Sequence, residues 1–144
     1  MKLIVCIDEK KGMMFNHRRQ SQDRVLRDDI RKECQGSILR MNAYSAGLFE
    51  KDADVETTVQ IFSSEDFLAQ ASEDDCCFVE DQDVSLWLEQ ADTVILYQWN
   101  RHYPADLYFT AELSEDTWQM ERQEDFAGSS HEKITKTVYT KRHV

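Results

Sequence analysis

Glycine and proline are scarce in this chain, with four glycines and one proline in 144 residues. Phosphate loops of the Gly-x-x-x-x-Gly-Lys type need glycine's freedom from a Cβ, and Gly12, Gly36, Gly47 and Gly128 are too scattered to make one. A Gly-x-Ser-x-Gly nucleophile elbow is also missing. The four cysteines, Cys6, Cys34, Cys76 and Cys77, have no Cys-x-x-Cys spacing. The adjacent pair would point to opposite faces of a strand, which argues for reduced thiols and against a zinc site or disulfide framework. His17, His102, His131 and His143 lie far apart, so the compact His-x-His-x-Asp-His cluster of a ribonuclease Z type of phosphodiesterase is absent. No apolar stretch reaches the length of a membrane span, and Asp8 interrupts the first apolar run before a signal peptide's core is complete. The expectation is a cytoplasmic protein without membrane contact. Positive charge is also short: 17 Lys and Arg against 28 Asp and Glu give a formal charge of -11. That balance excludes nucleic acid as the expected partner, because backbone affinity depends on basic residues displacing counterions.

What the chain does have is a rhythm. Leu3 to Ile7, Ile38 to Met41, Val59 to Phe62, Cys76 to Val79 and Thr93 to Tyr97 are short apolar runs separated by helix-like or loop segments. Parallel strands are buried on both faces and need crossover connections, so the pattern predicts an α/β domain with a mainly parallel sheet flanked by helices. Trp118 to Phe126 and Ile134 to Arg142, flanking Ala127-Gly128-Ser129-Ser130-His131, predict a C-terminal antiparallel hairpin that makes the sheet mixed. The length and the 41% hydrophobic content suit one domain over residues 1–144.

Local signals place the remaining elements. Asp8 to Gln20 reads as a loop over the sheet's rim, and Ser21 as the cap of a helix from about Gln22 to Cys34, closed by Gly36. A short helix is expected from Ala43 to Glu50, followed by a mobile acidic connection from Lys51 to Glu56. Ser63 with Asp66 matches a capping box for a helix carrying Phe67, Leu68 and Ala71. Asp83 caps a further helix with Val84, Leu86, Trp87 and Leu88, where Trp87 is read as a core aromatic, and Leu107 to Leu113 is read as extended.

Ligands of such sheets gather beyond the carboxyl ends of the strands. One candidate there is the basic patch of Arg18, Arg19, Arg24 and Arg27, either a solvated face balanced by Asp23, Asp28 and Asp29 or an anion site built on planar guanidinium groups. A second is the stretch Tyr97 to Asp106, whose Tyr97, Trp99 and Arg101 suit either a stacking and hydrogen-bonding wall or packing under the hairpin. Asp8, Glu80 and Asp81 lie on the predicted rim, but carboxylates alone do not specify a metal in so acidic a chain, and no metal site is assigned. Ser129-Ser130-His131 reads as turn chemistry.

The layout resembles the dihydrofolate reductase fold. Ile7 to Met13 looks like that family's first strand and flexible loop, Asp116-Thr117-Trp118 like the entry to its penultimate strand, and Phe126 to Arg142 like its final hairpin. The resemblance puts Asp23 near the family's buried carboxylate, which holds and helps protonate a pterin ring, and puts Ser63 and Ser64 near the adenosine end of the cofactor. That role needs an acid facing a dry cleft, where desolvation raises its pKa; a carboxylate in the first turn of a helix explains Asp23 as well. Departures accompany the matches. Glu80 and Asp81 stand where the family has paired glycines beside a pyrophosphate, Met41-Asn42 falls opposite its Gly-Arg pair, and Phe15 to Gln20 replace its proline and tryptophan. The expectation is a dihydrofolate-reductase-like module that binds a small-molecule ligand or a protein partner, with no cofactor. The alternative is an active NAD(P)H-dependent reductase of a pterin-like or other heterocycle, using Asp23 as proton source, Ser63 and Ser64 as nucleotide contacts, and NADPH.

Overall fold

A computed structural model describes residues 1–52 and 59–142. Seven strands form the main sheet in the order β5-β4-β6-β1-β7-β10-β9. They are β1 (Lys2–Ile7), β4 (Ile38–Met41), β5 (Gln60–Ser63), β6 (Cys76–Phe78), β7 (Thr93–Gln98), β9 (Trp118–Phe126) and β10 (Ile134–Lys141). β1 is parallel to β6 and β7, and β4 to β5 and β6, while β10 runs antiparallel to both β7 and β9. The expected mixed α/β sheet with its closing hairpin is therefore present.

Alternation along each strand divides the apolar residues between two cores. Leu3, Val5, Cys77, Val94 and Leu96 join Phe67 and Leu68 on one face. Ile4, Cys76, Ile95 and Tyr97 join Leu26, Ile30 and Leu39 on the other. Cys76 and Cys77 thus do point to opposite faces, as a strand's period of two requires. The second core is covered by α1 (Arg24–Glu33), whose fully buried Ile30 contributes about 1.5–3 kcal/mol by burial. Polar groups are also held beneath α1: buried Tyr97 donates its hydroxyl to Asp29 at 2.6 Å, and buried Lys136 pairs with the same carboxylate at 2.7 Å.

Several local expectations are corrected. The helix begins later than Ser21 suggests, because Asp23 is the N-cap, accepting from the N–H groups of Val25 and Leu26 at 2.9 and 3.2 Å. Ser21 is engaged elsewhere. Gly36 does close the turn beyond α1, at φ +79°. Residues 8–20 are not a simple loop: β2 (Gly12–Phe15) and β3 (Arg18–Arg19) form a hairpin, extended by β8 (Leu107–Tyr108) into a second sheet. Phe15 pairs with Arg18, and Asn16 and His17 between them have φ of 50° and 61°, as a tight two-residue turn of the primed kind demands. Without a glycine in the turn, the hairpin signal was hidden. Of the segment expected to be extended at 107–113, only β8 is strand.

Helix α2 (Ala43–Phe49) runs into a 3₁₀ turn at Glu50–Asp52; positions 53–56 of the expected mobile connection lie outside the described residues. The capping box at Ser63 does not form, since β5 continues through that residue. Ser64 Oγ instead accepts from the Asp66 N–H at 3.3 Å ahead of α3 (Phe67–Gln70). The helix expected after Asp83 is a single 3₁₀ turn, Ser85–Trp87, with Val84 at its N-cap and Asp83 accepting from the Ser85 N–H at 2.9 Å; it packs Trp87 against the core but leaves Leu86 85% exposed. One turn suffices to seat Val84 and Trp87, three residues apart, on the same core. Among the described residues no helix is long and apolar enough to cross a membrane.

Candidate functional site

The carboxyl ends of β1, β4, β6 and β7 meet the small sheet along one rim, where polar residues follow each apolar run. Asp8, just past β1, is 2% exposed and accepts from the N–H groups of Lys10, Gly12 and Tyr103 at 2.9, 2.8 and 3.1 Å, and from Gln20 Nε2 at 3.2 Å. Burial pushes its pKa up, but these hydrogen bonds outweigh it and hold the carboxyl below its ordinary value. Asp8 therefore ties the β1 end, the small sheet and the chain beyond β7 together. Gly12 is required there, since a Cβ would stand 2.7 Å from that of Ala105.

Beyond β6, the buried Glu80 takes a bidentate ion pair from Arg19, at 2.9 Å from Nε and 3.0 Å from Nη2, and a 2.6 Å hydrogen bond from Ser45 Oγ. The Arg19 guanidinium also lies over the Tyr44 ring, 4.2 Å from its centre. Asp81 accepts from Asn42 Nδ2 at 2.9 Å, while Asn42 Oδ1 caps α2 through the Ser45 N–H. Beside this array opens a cavity of about 610 Å³, walled by Met14, Tyr44 and Leu107 and bearing three carboxylates, Glu65, Asp81 and Asp106. His17 and Asn42 complete its lining.

At the start of α1 the chemistry is different. Asp23 accepts, besides its two helix amides, the N–H groups of Ser129 and Ser130 at 3.0 and 2.9 Å and both of their hydroxyls at 3.2 Å. His131 Nδ1 lies 3.0 Å from the same carboxylate, and its Nε2 lies 2.9 Å from Ser21 Oγ and 3.2 Å from the Tyr103 hydroxyl. The imidazole is stacked on Trp99, with centres 4.5 Å apart and planes 29° from parallel. Burial alone would raise the Asp23 pKa, but hydrogen bonds from His131, Ser130, Ser129 and Leu26 hold it well below the usual carboxylate range. The hairpin turn meets α1 here without a spare atom: a Cβ on Gly128 would stand 2.3 Å from Asp23 Oδ2.

The residues singled out in sequence are thus dispersed. Arg18 is exposed on the β2–β3 hairpin, and Arg19 is engaged with Glu80. Arg27 is taken by Asp52 at 2.6 Å, so the basic patch does not converge on one anion site. Ser63 ends β5, Ser64 follows it, and neither lines the cavity. Tyr97 lies under α1, while Trp99, stacked on His131, and Arg101 border one hollow of about 310 Å³ with Asn100, Glu132 and Lys133, so Trp99 and Arg101 share a wall from which Tyr97 stands apart. Asp8, Glu80 and Asp81 have different partners, and no group of three or more metal-binding side chains occurs among the described residues. Sequence reading missed the Ser21–His131 contact, which spans 110 residues; the only hint was the pairing of polar hairpin residues with a helix start.

No protein-family model matches the chain, and no curated protein does. Among solved structures, dihydrofolate reductase from Enterococcus faecalis, complexed with NADP(H) and RAB-propyl, is similar over 99% of this chain and 96% of that one. The TM-score is 0.66 at 10% sequence identity. The fold is dihydrofolate-reductase-like, and the sequence has diverged far from that enzyme.

Proposed function

We propose that this protein is a ligand-binding module on a dihydrofolate-reductase-like fold, that it works without NADPH, and that its ligand is a small, positively charged organic molecule. One observation carries the reading: at the end of β6, Glu80 is buried in a bidentate pair with Arg19, and the adjoining cavity of about 610 Å³ presents Glu65, Asp81 and Asp106. A diphosphate needs close main-chain amides and unengaged cations. Glu80 and Asp81 carry side chains and negative charge, neither has the positive φ for which glycine is used, and the nearest guanidinium is already neutralised. The residues therefore do not fit the cofactor that the Enterococcus faecalis enzyme holds.

A cation meets the opposite field. Among the described residues Glu65 accepts only from the Ala43 N–H at 3.2 Å and Asp106 only from the Asn16 N–H at 3.0 Å, which leaves acceptor capacity for a ligand. Tyr44, Met14 and Leu107 supply apolar walls for its carbon skeleton. The reductase reading asks Asp23 to give up a proton, whereas its hydrogen bonds favour the ionised form. Isothermal titration tests the proposal with two probes, NADPH and agmatine. Saturable, salt-sensitive heat with agmatine and none with NADPH is expected; saturable NADPH binding overturns the reading, and so does a flat agmatine titration.

A further inference from the structure

We propose that Ser21, His131 and Asp23 form a nucleophilic triad that hydrolyses carboxylic esters bearing a negatively charged substituent. The site lies apart from the acidic cavity and stands independently of the cation-binding reading. Its geometry has the order that acyl transfer needs: carboxylate on Nδ1 at 3.0 Å, hydroxyl on Nε2 at 2.9 Å. Burial is graded the same way. Asp23 and His131 are 2% and 5% exposed, while Ser21 is half-buried.

Holding the hairpin turn against α1 requires only Asp23 with Ser129, Ser130 and the Nδ1 side of His131. Nε2, on the far side of the ring, meets the Ser21 and Tyr103 hydroxyls at 2.9 and 3.2 Å. Trp99 stacking fixes the ring plane, and Tyr103 donates to Ser21 Oγ at 3.4 Å, so the hydroxyl is oriented from two sides. The main-chain N–H groups of Ser21 and Gln22 donate to no group among the described residues.

Access and selectivity follow from the surroundings. Ser21 does not itself line the nearest open hollow, of about 300 Å³, but its chain neighbour Gln20 and its hydrogen-bond partner Tyr103 do, together with Phe15, Arg18 and Arg19. The Arg18 guanidinium has no partner among the described residues and would meet an anionic substituent. On its inner side Ser21 borders a niche of about 10 Å³ with Cys6, Phe78 and Trp99, roughly the volume that admits one water.

In the first step Ser21 Oγ bonds to the carbonyl carbon as its proton passes to His131 Nε2, and Asp23 stabilises the imidazolium across Nδ1. The carbon–oxygen bond to the alcohol then breaks, and the alcohol leaves with the Nε2 proton. Water attacks the acyl-serine, gives a proton to Nε2, and Oγ recovers it as the carboxylic acid departs.

The test is labelling of the full chain by a fluorophosphonate probe, with the modified peptide located by mass spectrometry. An adduct on Ser21, absent in Ser21→Ala, is expected, and an unmodified Ser21 overturns the proposal. His131→Gln should slow labelling on the order of a hundredfold or more. Should that variant fail to fold, Ser21→Cys keeps the question open to measurement through its alkylation by iodoacetamide. Its pH profile should break below the ordinary thiol value of about 8.5, and a free-thiol profile overturns the contact with His131. Faster reaction with iodoacetate than with iodoacetamide, lost in Arg18→Ala, is expected from the anionic preference; equal rates overturn that part.

Discussion

Carboxylates serve opposite purposes at the two ends of the rim. In the cavity beside α2, Glu65, Asp81 and Asp106 each accept a single hydrogen bond among the described residues and face open space. At the start of α1, Asp23 is enclosed by donors from its own helix, from Ser129 and Ser130, and from His131. A charge with unfilled acceptor sites is available to a ligand. One whose acceptor sites are filled instead fixes the geometry of whatever surrounds it.

Asp23→Ala separates these two purposes most sharply. It removes the acceptor for two helix amides, two hairpin amides and a buried imidazole, and the N-cap of α1 goes with it. Breaking a buried pair on one side costs about 3–5 kcal/mol, which is the loss expected in urea denaturation followed by tryptophan fluorescence. Trp99 lies against His131 and reports the cluster locally. A loss under about 1 kcal/mol, the usual cost of a cap alone, would mean that the hairpin turn does not rest on this carboxylate.

Acid titration gives a smaller and graded effect. Asp52 is lowered to about 2, chiefly by its hydrogen bond from Arg27, with burial opposing and Arg31 assisting. Asp8, Asp23 and Asp75 are also held below their ordinary values. In each case the unfolded chain binds a proton at a higher pH than the folded one. Their contribution is therefore complete above the unfolded carboxylate value, near pH 4, and is lost as pH falls through the folded values. Urea midpoints measured from pH 6 to pH 2.5 should decline below about pH 4. In Asp23→Asn the decline should be shallower; an unchanged slope would show that Asp23 titrates alike in both states.

The strands and the closing hairpin were legible because apolar runs and their alternation are local properties of the chain. Cys76 and Cys77 show this well: adjacency alone fixed them on opposite faces. The β2–β3 hairpin was not legible, since Asn16 and His17 take up positive φ without a glycine to announce it. Ser21 was misread for a similar reason. A serine before a helix looks like a cap, and only the fold brings His131 across to claim its hydroxyl while Asp23 does the capping. The basic patch likewise dissolved into separate pairs, Arg19 with Glu80 and Arg27 with Asp52, whose partners lie 61 and 25 residues away. Charge balance in sequence does not reveal which cations already have partners.

The smallest effect belongs to the cavity, where the contrast with Asp23 meets its most demanding check. Glu65→Gln with Asp106→Asn keeps the shape and both acceptor oxygens, and the main-chain donors at Ala43 and Asn16 stay satisfied. Stability should move by no more than about 0.5 kcal/mol, as for exposed substitutions that break no buried network. Like charges facing one cavity repel one another, so the sign should favour the folded state, and more so at low salt. Thermal denaturation at two ionic strengths reads both the size and the sign. A loss beyond about 1 kcal/mol would place these carboxylates with Asp23 among the groups that hold the fold, and would remove the ground for calling the cavity a binding site.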